Sequence, residues 1–279
     1  MNYTPDEIMV VCIARQVRDG EVVAQGIATP IVAAGYLLAR QTHAPNLYFS
    51  SAIGQGICRQ PAPLRLLQVE SLWLDRAIRN LGFVRSVADV LPSLRPMEFF
   101  RPAQVDPSGN FNNIAFGKNY QNPRLRLPGT GGIPDVTTFL DDIYLYVPRH
   151  SRLTFVPQLD FLSGLGHNKA RTHGSGPKYL VSNLGQFDFN GDGPNHRLRL
   201  ISHHREASIK QIQAKTGFEL RIAPDVQETP PPSDEELRLL RQEIDPHGIR
   251  RLESLSGTKR RLLLHEIIRK ENQEILSRS

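Results

Sequence analysis

The sequence predicts an α/β fold that contains a parallel βαβ unit. Helical and strand patterns alternate at the start of the chain, with helices predicted at 4–18 and 31–42 and strands at 21–26 and 47–51. Such alternation is typical of parallel strands joined by crossover helices. The composition is that of an ordinary globular protein, since 39% of the 279 residues are hydrophobic and 22% are charged.

The two N-terminal helices have recognisable starting signals. Thr4 is a suitable N-cap, Pro5 fits the first helical turn, and the acidic pair after it suits the positive end of the helix dipole. Thr29 and Pro30 begin the second helix in the same way. Functional loops of parallel sheets lie at the carboxyl ends of the strands, so the turn at 50–54 is a candidate site.

The middle of the chain is predicted to be rich in strands. A short helix is expected at 86–91 and a turn at 106–110, because Asp, Pro, Ser, Gly and Asn follow one another there. Alternating apolar residues predict strands at 97–100, 143–147, 152–156, 179–183, 187–189 and 198–201. A helix is expected at 208–216, with Gly217 as its C-terminal stop.

The C-terminal part is predicted to be helical. Prolines at 230–232 form a stiff spacer, and Ser233 with Glu236 matches a capping box at the start of a helix. The last helix, at 260–277, is amphipathic, and its apolar residues fall near one face: Leu263, Leu264, Ile267, Ile268 and Ile275. That face is a candidate docking surface for a partner.

Charge, hydropathy and cysteine spacing argue against nucleic-acid-binding, membrane, secreted and metal-binding proteins. Residues 250–279 carry +4 of the net charge of +6, so the body of the chain is only slightly basic, and no nucleic-acid-binding motif accompanies the tail. No run of 18 apolar residues or secretion signal is present, which predicts a cytoplasmic protein without a membrane partner. Cys12 and Cys58 have no metal-ligand spacing, so no metal is expected.

Several segments, in this order and spacing, carry a family resemblance. They lie at 13–23, 26–30, 42–46, 103–112, 128–132 and 241–246. Together they resemble the β subunit of family I coenzyme A transferases, within it the glutaconate CoA-transferase branch. The resemblance spans roughly residues 3–251, and residues 252–279 form a basic, amphipathic helical extension without an evident match.

The resemblance implies a fold, a partner and a substrate. The fold would be an open, mostly parallel α/β sheet with helices on both faces. An α-type subunit would complete the active site, and two such pairs would associate further. Coenzyme A would enter as the acyl-CoA substrate, without a metal. In the family a Glu attacks the thioester, and the acyl group passes through covalent intermediates.

The family's catalytic Glu is missing from this chain. In the family the active-site strand ends in Glu-Ser-Gly or Glu-Asn-Gly, whereas Ala52 stands at the matching position here. A methyl group cannot act as a nucleophile. The subunit is therefore predicted to serve a hydrolase or lyase whose carboxylate comes from the partner chain.

Three interpretations of the missing Glu stay open. Segments at 161–169, 180–189 and 233–241 resemble the steroid-ring-opening CoA-thioester hydrolases, whose β-type subunit also lacks the Glu. A second branch, the decarboxylases, has Cys at this position, whereas the nearest cysteine here is Cys58. In the third, Ser50 or Ser51 acts, or the chain is a catalytically silent binding subunit; true CoA transfer also remains an alternative.

Further candidate site residues lie in two loops. The resemblance implies that the loop Gly129-Thr130-Gly131-Gly132 contacts the thioester and coenzyme A, although a plain turn would have the same composition. Asn112 would line the acyl pocket. His167, in a Gly-rich loop, would serve as an acid–base group or phosphate contact, or would be a solvated histidine. Arg124 and Arg126 would bind carboxylate or phosphate, or form a solvated strand face.

Overall fold

The chain forms two compact units in the computed structural model, which describes residues 2–26, 29–51, 56–68, 75–141, 143–191 and 195–277. The first unit comprises Met1–Asp89 and Pro231–Ser279, and the second comprises Val90–Pro230. A boundary at residue 251 stays a prediction. None of the helices in the described ranges is long and apolar enough to cross a membrane.

The predicted helices are present with bounds that differ by a few residues, and the helix at 133–139 was not predicted. They are α1 (Pro5–Ala14), α2 (Pro30–Thr42), α3 (Phe83–Arg85), α4 (Leu91–Leu94), α5 (Ile133–Phe139), α6 (Ile209–Lys215), α7 (Asp234–Arg238), α8 (Arg251–Ser254) and α9 (Gly257–Leu276). Two π-helical segments, Ser86–Val90 and Leu239–Ile244, lie between them.

In the first unit the strands are β1 (Val22–Gln25), β2 (Tyr48–Ser51), β3 (Gly56–Cys58) and β4 (Ala77–Asn80). β1 and β2 are parallel and are joined by α2, which confirms the predicted βαβ unit. β3 pairs antiparallel with both β2 and β4.

The second unit contains a larger mixed sheet. Its strands are β5 (Met97–Phe100), β10 (Ile143–Val147), β11 (Pro177–Ser182), β12 (Gly185–Asn190), β13 (Arg197–His203) and β14 (Arg221–Glu228), in the spatial order β14-β13-β12-β11-β10-β5. β5, β10 and β11 are mutually parallel, as are β13 and β14. Two short hairpins add β6 (Gln104–Val105) with β7 (Phe111–Asn112), and β8 (Ala115–Phe116) with β9 (Leu125–Arg126). The predicted α/β class with an open sheet is confirmed.

Helices α1 and α2 pack closely against each other in the first unit. Ile8 to Ala14 of α1 are buried, so α1 is an interior helix. Gly35 lets α2 approach it, because a Cβ at this position would lie 2.5 Å from Cγ2 of Ile13. Any larger residue would push the two helices apart.

The C-terminal helices pack within the first unit. On α9, Leu263 and Ile267 are buried, as is Glu271, whose carboxylate accepts the backbone N–H groups of Leu66 and Leu67 at 2.8–3.0 Å. The apolar face that the sequence suggested as a docking surface is therefore covered at its centre by the chain itself.

One predicted strand of the second unit is wrong. Residues 152–156 form a turn, in which the N–H groups of Thr154 and Phe155 donate to the carbonyl of Ser151. The apolar alternation misled the prediction because Leu153 is 72% exposed, whereas Phe155 is fully buried and forms only an isolated bridge with Val105.

Candidate functional site

The carboxyl ends of β1 and β2 form a polar edge in the first unit. The register places Gln25 beside Ser51, so both strands end at the same level. Gln25 is 7% exposed and Ser50 is 6% exposed. Ala52, which was predicted to stand at the position of the family's Glu, follows Ser51 in the sequence and is outside the described residues.

The same register extends across the antiparallel strands. Ser51 pairs with Gly56, and Gly56 pairs with Asn80. Glycine is required in this row, since a Cβ at position 56 would lie 2.6 Å from the Arg79 carbonyl oxygen and 2.9 Å from Oδ1 of Asn80. The side chain of Asn80 therefore lies against the backbone of Gly56.

Cys58 is poorly suited to act as the nucleophile. It is 1% exposed and pairs with Phe49 in β2. Burial raises the pKa of its thiol, against the smaller opposing effect of a backbone hydrogen bond. Since the thiolate is the reactive form, this environment favours an inert, buried thiol.

The glycine-rich loop in the second unit is open on its outer side. Gly129 and Gly131 have φ values of +112° and +53°, and a Cβ at either position would meet nothing within 4 Å. The Thr130 carbonyl accepts the Ile133 N–H at 3.1 Å, at the first residue of α5. The loop thus presents backbone to solvent with ample room for a ligand.

His167 is buried in the second unit. It is 8% exposed, and its Nε2 lies 2.8 Å from the carbonyl oxygen of Pro177. A carbonyl only accepts, so Nε2 carries the proton and Nδ1 has the free lone pair. Burial is the main cause that lowers the pKa of His167, so the ring is a neutral imidazole. The interpretation as a solvated histidine is wrong; an acid–base role stays a prediction.

Arg171 ties the His167 loop to α5, and sequence reasoning missed it. Its guanidinium donates to the carbonyls of Leu165, Gly166 and Thr137. The last of these lies on α5, directly after the glycine-rich loop. No local motif marks this arginine, because its partners are all backbone carbonyls.

Asn112 is enclosed by protein. It has no exposed surface, and its Nδ2 donates to Oε1 of Gln104 at 2.7 Å and to the Ala115 carbonyl at 2.8 Å. Its Oδ1 accepts the N–H of Ile114. These hydrogen bonds show that the Asn112 side chain supports the two hairpins. Its contact with the acyl pocket stays a prediction.

The arginines before the glycine-rich loop differ in environment. Both Arg124 and Arg126 are exposed, but Arg126 lies over the ring of Tyr120 at 4.5 Å and donates to the Tyr120 carbonyl. Arg126 therefore stiffens the β8–β9 hairpin, and Arg124 projects from it.

Glu98 is a second residue that the sequence did not single out. It lies on β5 beside Ile143 of β10 and is 8% exposed. Burial raises the pKa of its carboxyl to about 8. The carboxyl is therefore largely protonated near neutral pH. Its ionisation in the folded state lowers the free energy of unfolding.

We expect Glu98→Gln to stabilise the protein at neutral pH. The folded-state pKa lies above the ordinary value of 4.5, so the wild type loses stability as pH rises from 4.5 to 8. A neutral amide removes that loss, about 3 kcal/mol near pH 7. Urea unfolding from pH 5 to pH 8 should show a gain that grows with pH, and the exposed Glu228→Gln should show none. A gain independent of pH would contradict this prediction.

Comparisons with known proteins give consistent relatives. No protein-family model matches the chain. The cholesterol ring-cleaving hydrolase IpdB subunit of Rhodococcus jostii is 32% identical over 237 residues, covering 83% of this chain and 88% of that subunit. The B subunit of glutaconate CoA-transferase from Acidaminococcus fermentans is 26% identical over 269 residues, covering 88% of this chain and 94% of that one.

A solved structure agrees with these relatives. The crystal structure of the decarboxylase AibA/AibB matches with a TM-score of 0.77 and 29% identity, covering 89% of this chain and 98% of that one. Transferase, hydrolase and decarboxylase subunits are thus all similar to this chain.

Proposed function

This chain belongs to the family of coenzyme A transferase B subunits and their ring-cleaving hydrolase relatives, and we propose that it is the B-type subunit of a two-chain hydrolase or lyase. Its substrate is a carboxylated acyl-CoA thioester, and an α-type subunit supplies the catalytic carboxylate. The observation that carries the proposal is the 32% identity to a ring-cleaving hydrolase subunit over 83% of the chain.

The environment of the strand edge supports a reaction without a nucleophile from this subunit. Ala52 has no reactive group, and Cys58 is buried with a raised thiol pKa. Ser50 is buried at 6% exposure, and serine requires an activating base. Water activated by a partner carboxylate fits this environment best.

The glycine-rich loop is the element of this chain that stabilises developing charge. Its exposed backbone at Gly129 and Gly131 has room for a thioester or carbonyl oxygen. A backbone N–H directed at an oxyanion contributes about 3 kcal/mol to the transition state. Thr130 and Gly132 complete the loop, and His167 supplies a neutral imidazole in the same unit.

The direct test uses the chain co-expressed with its α-type subunit. The pair is incubated with dicarboxylyl-CoA and cyclic oxo-acyl-CoA thioesters in ¹⁸O-labelled water, with and without acetate, and the products are followed by mass spectrometry. We expect ¹⁸O in a ring-opened or hydrolysed product. Appearance of acetyl-CoA would identify a transferase instead, and no turnover of any acyl-CoA would refute the proposal.

Decarboxylation is the second candidate, and the similarity to AibA/AibB favours it. A decarboxylase releases carbon dioxide and keeps the thioester intact. The same incubation distinguishes it, because its product loses the mass of carbon dioxide and gains no ¹⁸O.

Restoring a carboxylate at position 52 should restore the family chemistry. We expect Ala52→Glu to gain exchange of coenzyme A between an acyl-CoA and acetate, with a glutamyl-CoA adduct detectable by intact mass. The control, Ala52→Gln, has the same size and lacks the nucleophile. Equal behaviour of the two variants would place position 52 away from the reacting thioester.

A further inference from the structure

Gln25 carries a buried hydrogen-bond acceptor without a partner. The side chain is 7% exposed, and in the described ranges no donor reaches its Oε1. Buried amide groups are almost always hydrogen-bonded, and each exception requires an explanation. An unpaired buried acceptor weakens the folded state.

A comparison within the chain shows that this is unusual. Gln104 is equally buried, at 6% exposure, yet its Oε1 accepts from Asn112 and from the N–H of Asp160, and its Nε2 donates to the Asp160 carboxylate. Gln104 therefore has the bonding of a structural amide, whereas Gln25 lacks it.

The place of Gln25 in the sheet provides the explanation. It is the last residue of β1, beside Ser51, the last residue of β2. Ligands of open α/β sheets bind outside the carboxyl ends of parallel strands. Ala52 follows Ser51 directly, so the unpaired oxygen lies at the edge that the proposed function assigns to the reaction.

We propose that Gln25 is a ligand-contacting residue whose Oε1 accepts a hydrogen bond from an O–H or N–H group at the reaction site. This rests on the proposed function and deepens it. The donor belongs either to the amide-containing arm of the bound acyl-CoA or to the water that reacts. Both present a donor of the kind that no described residue supplies to this oxygen.

The test is Gln25→Met in the complete two-chain complex. Methionine keeps the volume and removes both polar atoms. We expect kcat/KM for acyl-CoA hydrolysis to fall about 5- to 150-fold, since a lost hydrogen bond of about 1–3 kcal/mol corresponds to that range. The melting temperature should stay the same or rise, because the free protein loses an unpaired buried acceptor.

The kinetic constants distinguish the two donors. If the donor is the arm of coenzyme A, KM and the dissociation constant of coenzyme A rise while kcat changes little. If the donor is the reacting water, kcat falls while the affinity for coenzyme A is kept. Either pattern supports the inference.

Gln104→Met is the matched control. It removes the acceptor that Gln104 offers to Asn112 and to the N–H of Asp160, so its melting temperature should fall. If Gln25→Met likewise lowers the melting temperature, or leaves kcat/KM unchanged in an active complex, the inference is overturned and the proposed function stands. A wild-type complex that turns over no acyl-CoA overturns the proposed function and this inference with it.

Discussion

Replacing Arg250 by Met is expected to lower the free energy of unfolding by about 3–5 kcal/mol. The guanidinium is 5% exposed and lies among three carboxylates of the first unit. Its Nη1 donates to Asp245 and its Nη2 to Glu7, both at 2.9 Å, and its Nε lies 2.8 Å from the Asp6 carboxylate.

The cost arises from the carboxylates that would remain. Asp245 has a fully buried side chain, and Glu7 is only 3% exposed. Removal of one partner from a buried ion pair leaves an uncompensated charge, which costs more than the pair contributes. Arg241 still pairs with Glu7 at 2.7 Å, so Asp6 and Asp245 would bear most of the loss.

The measurement is chemical denaturation of wild type and variant at neutral pH. The control is Arg238→Met, because Arg238 also binds two carboxylates, Glu235 and Glu243, but does so at the surface. Exposed pairs contribute little, so the control should unfold close to wild type. Equal losses in the two variants would show that burial does not decide the effect.

The sequence predicts features set by neighbouring residues well, and contacts between residues far apart in the chain poorly. The βαβ unit and the capping box of Ser233 with Glu236 depend on neighbouring residues, and both are present. The cluster around Arg250 could not be predicted, because Glu7 lies 243 residues away in the chain. The turn at 152–156 was missed because alternation alone does not reveal whether a partner strand exists.

The features of the candidate site also differ in whether the sequence alone could predict them. The glycine-rich loop was predicted from the resemblance, and the positive φ values at 129 and 131 suit glycine, whereas its contact with a ligand stays a prediction. The unpaired oxygen of Gln25 and the raised pKa of Glu98 have no local signature. Both depend on burial by residues that are remote in sequence, which only the folded structure reveals.

The second unit contains a buried histidine network that should make it sensitive to acid. His150 is 4% exposed, stacks on Phe155 at 3.7 Å, and bonds to the hydroxyls of Ser182 and Thr216, each at 3.0 Å. His204 is 5% exposed and contacts the Ser182 carbonyl at 2.9 Å through Nε2. Burial lowers the pKa of His150 to about 3 and that of His204 to about 4.

These shifts determine the sign of the pH dependence. Each histidine binds a proton near pH 6.5 when unfolded but only near pH 3 or pH 4 when folded. The unfolded state therefore binds more protons in this window, and stability is lost as pH falls below 6.5. Each histidine contributes about 1.4 kcal/mol per pH unit, or about 3 kcal/mol by pH 4.

We expect the double variant His150→Gln, His204→Gln to lose most of this slope, whatever its stability at neutral pH. Glu98 acts with the opposite sign between pH 4.5 and pH 8, so the comparison is made in chains that carry Glu98→Gln. Urea unfolding is followed from pH 7 to pH 5.5, which stays above the ordinary carboxyl pKa values of 3.8 and 4.5. His265→Gln, at an exposed position of α9, should keep the full slope. Only groups that gain protons on unfolding can produce a slope of this sign. If the double variant also keeps the slope, such groups other than the two imidazoles control the acid stability.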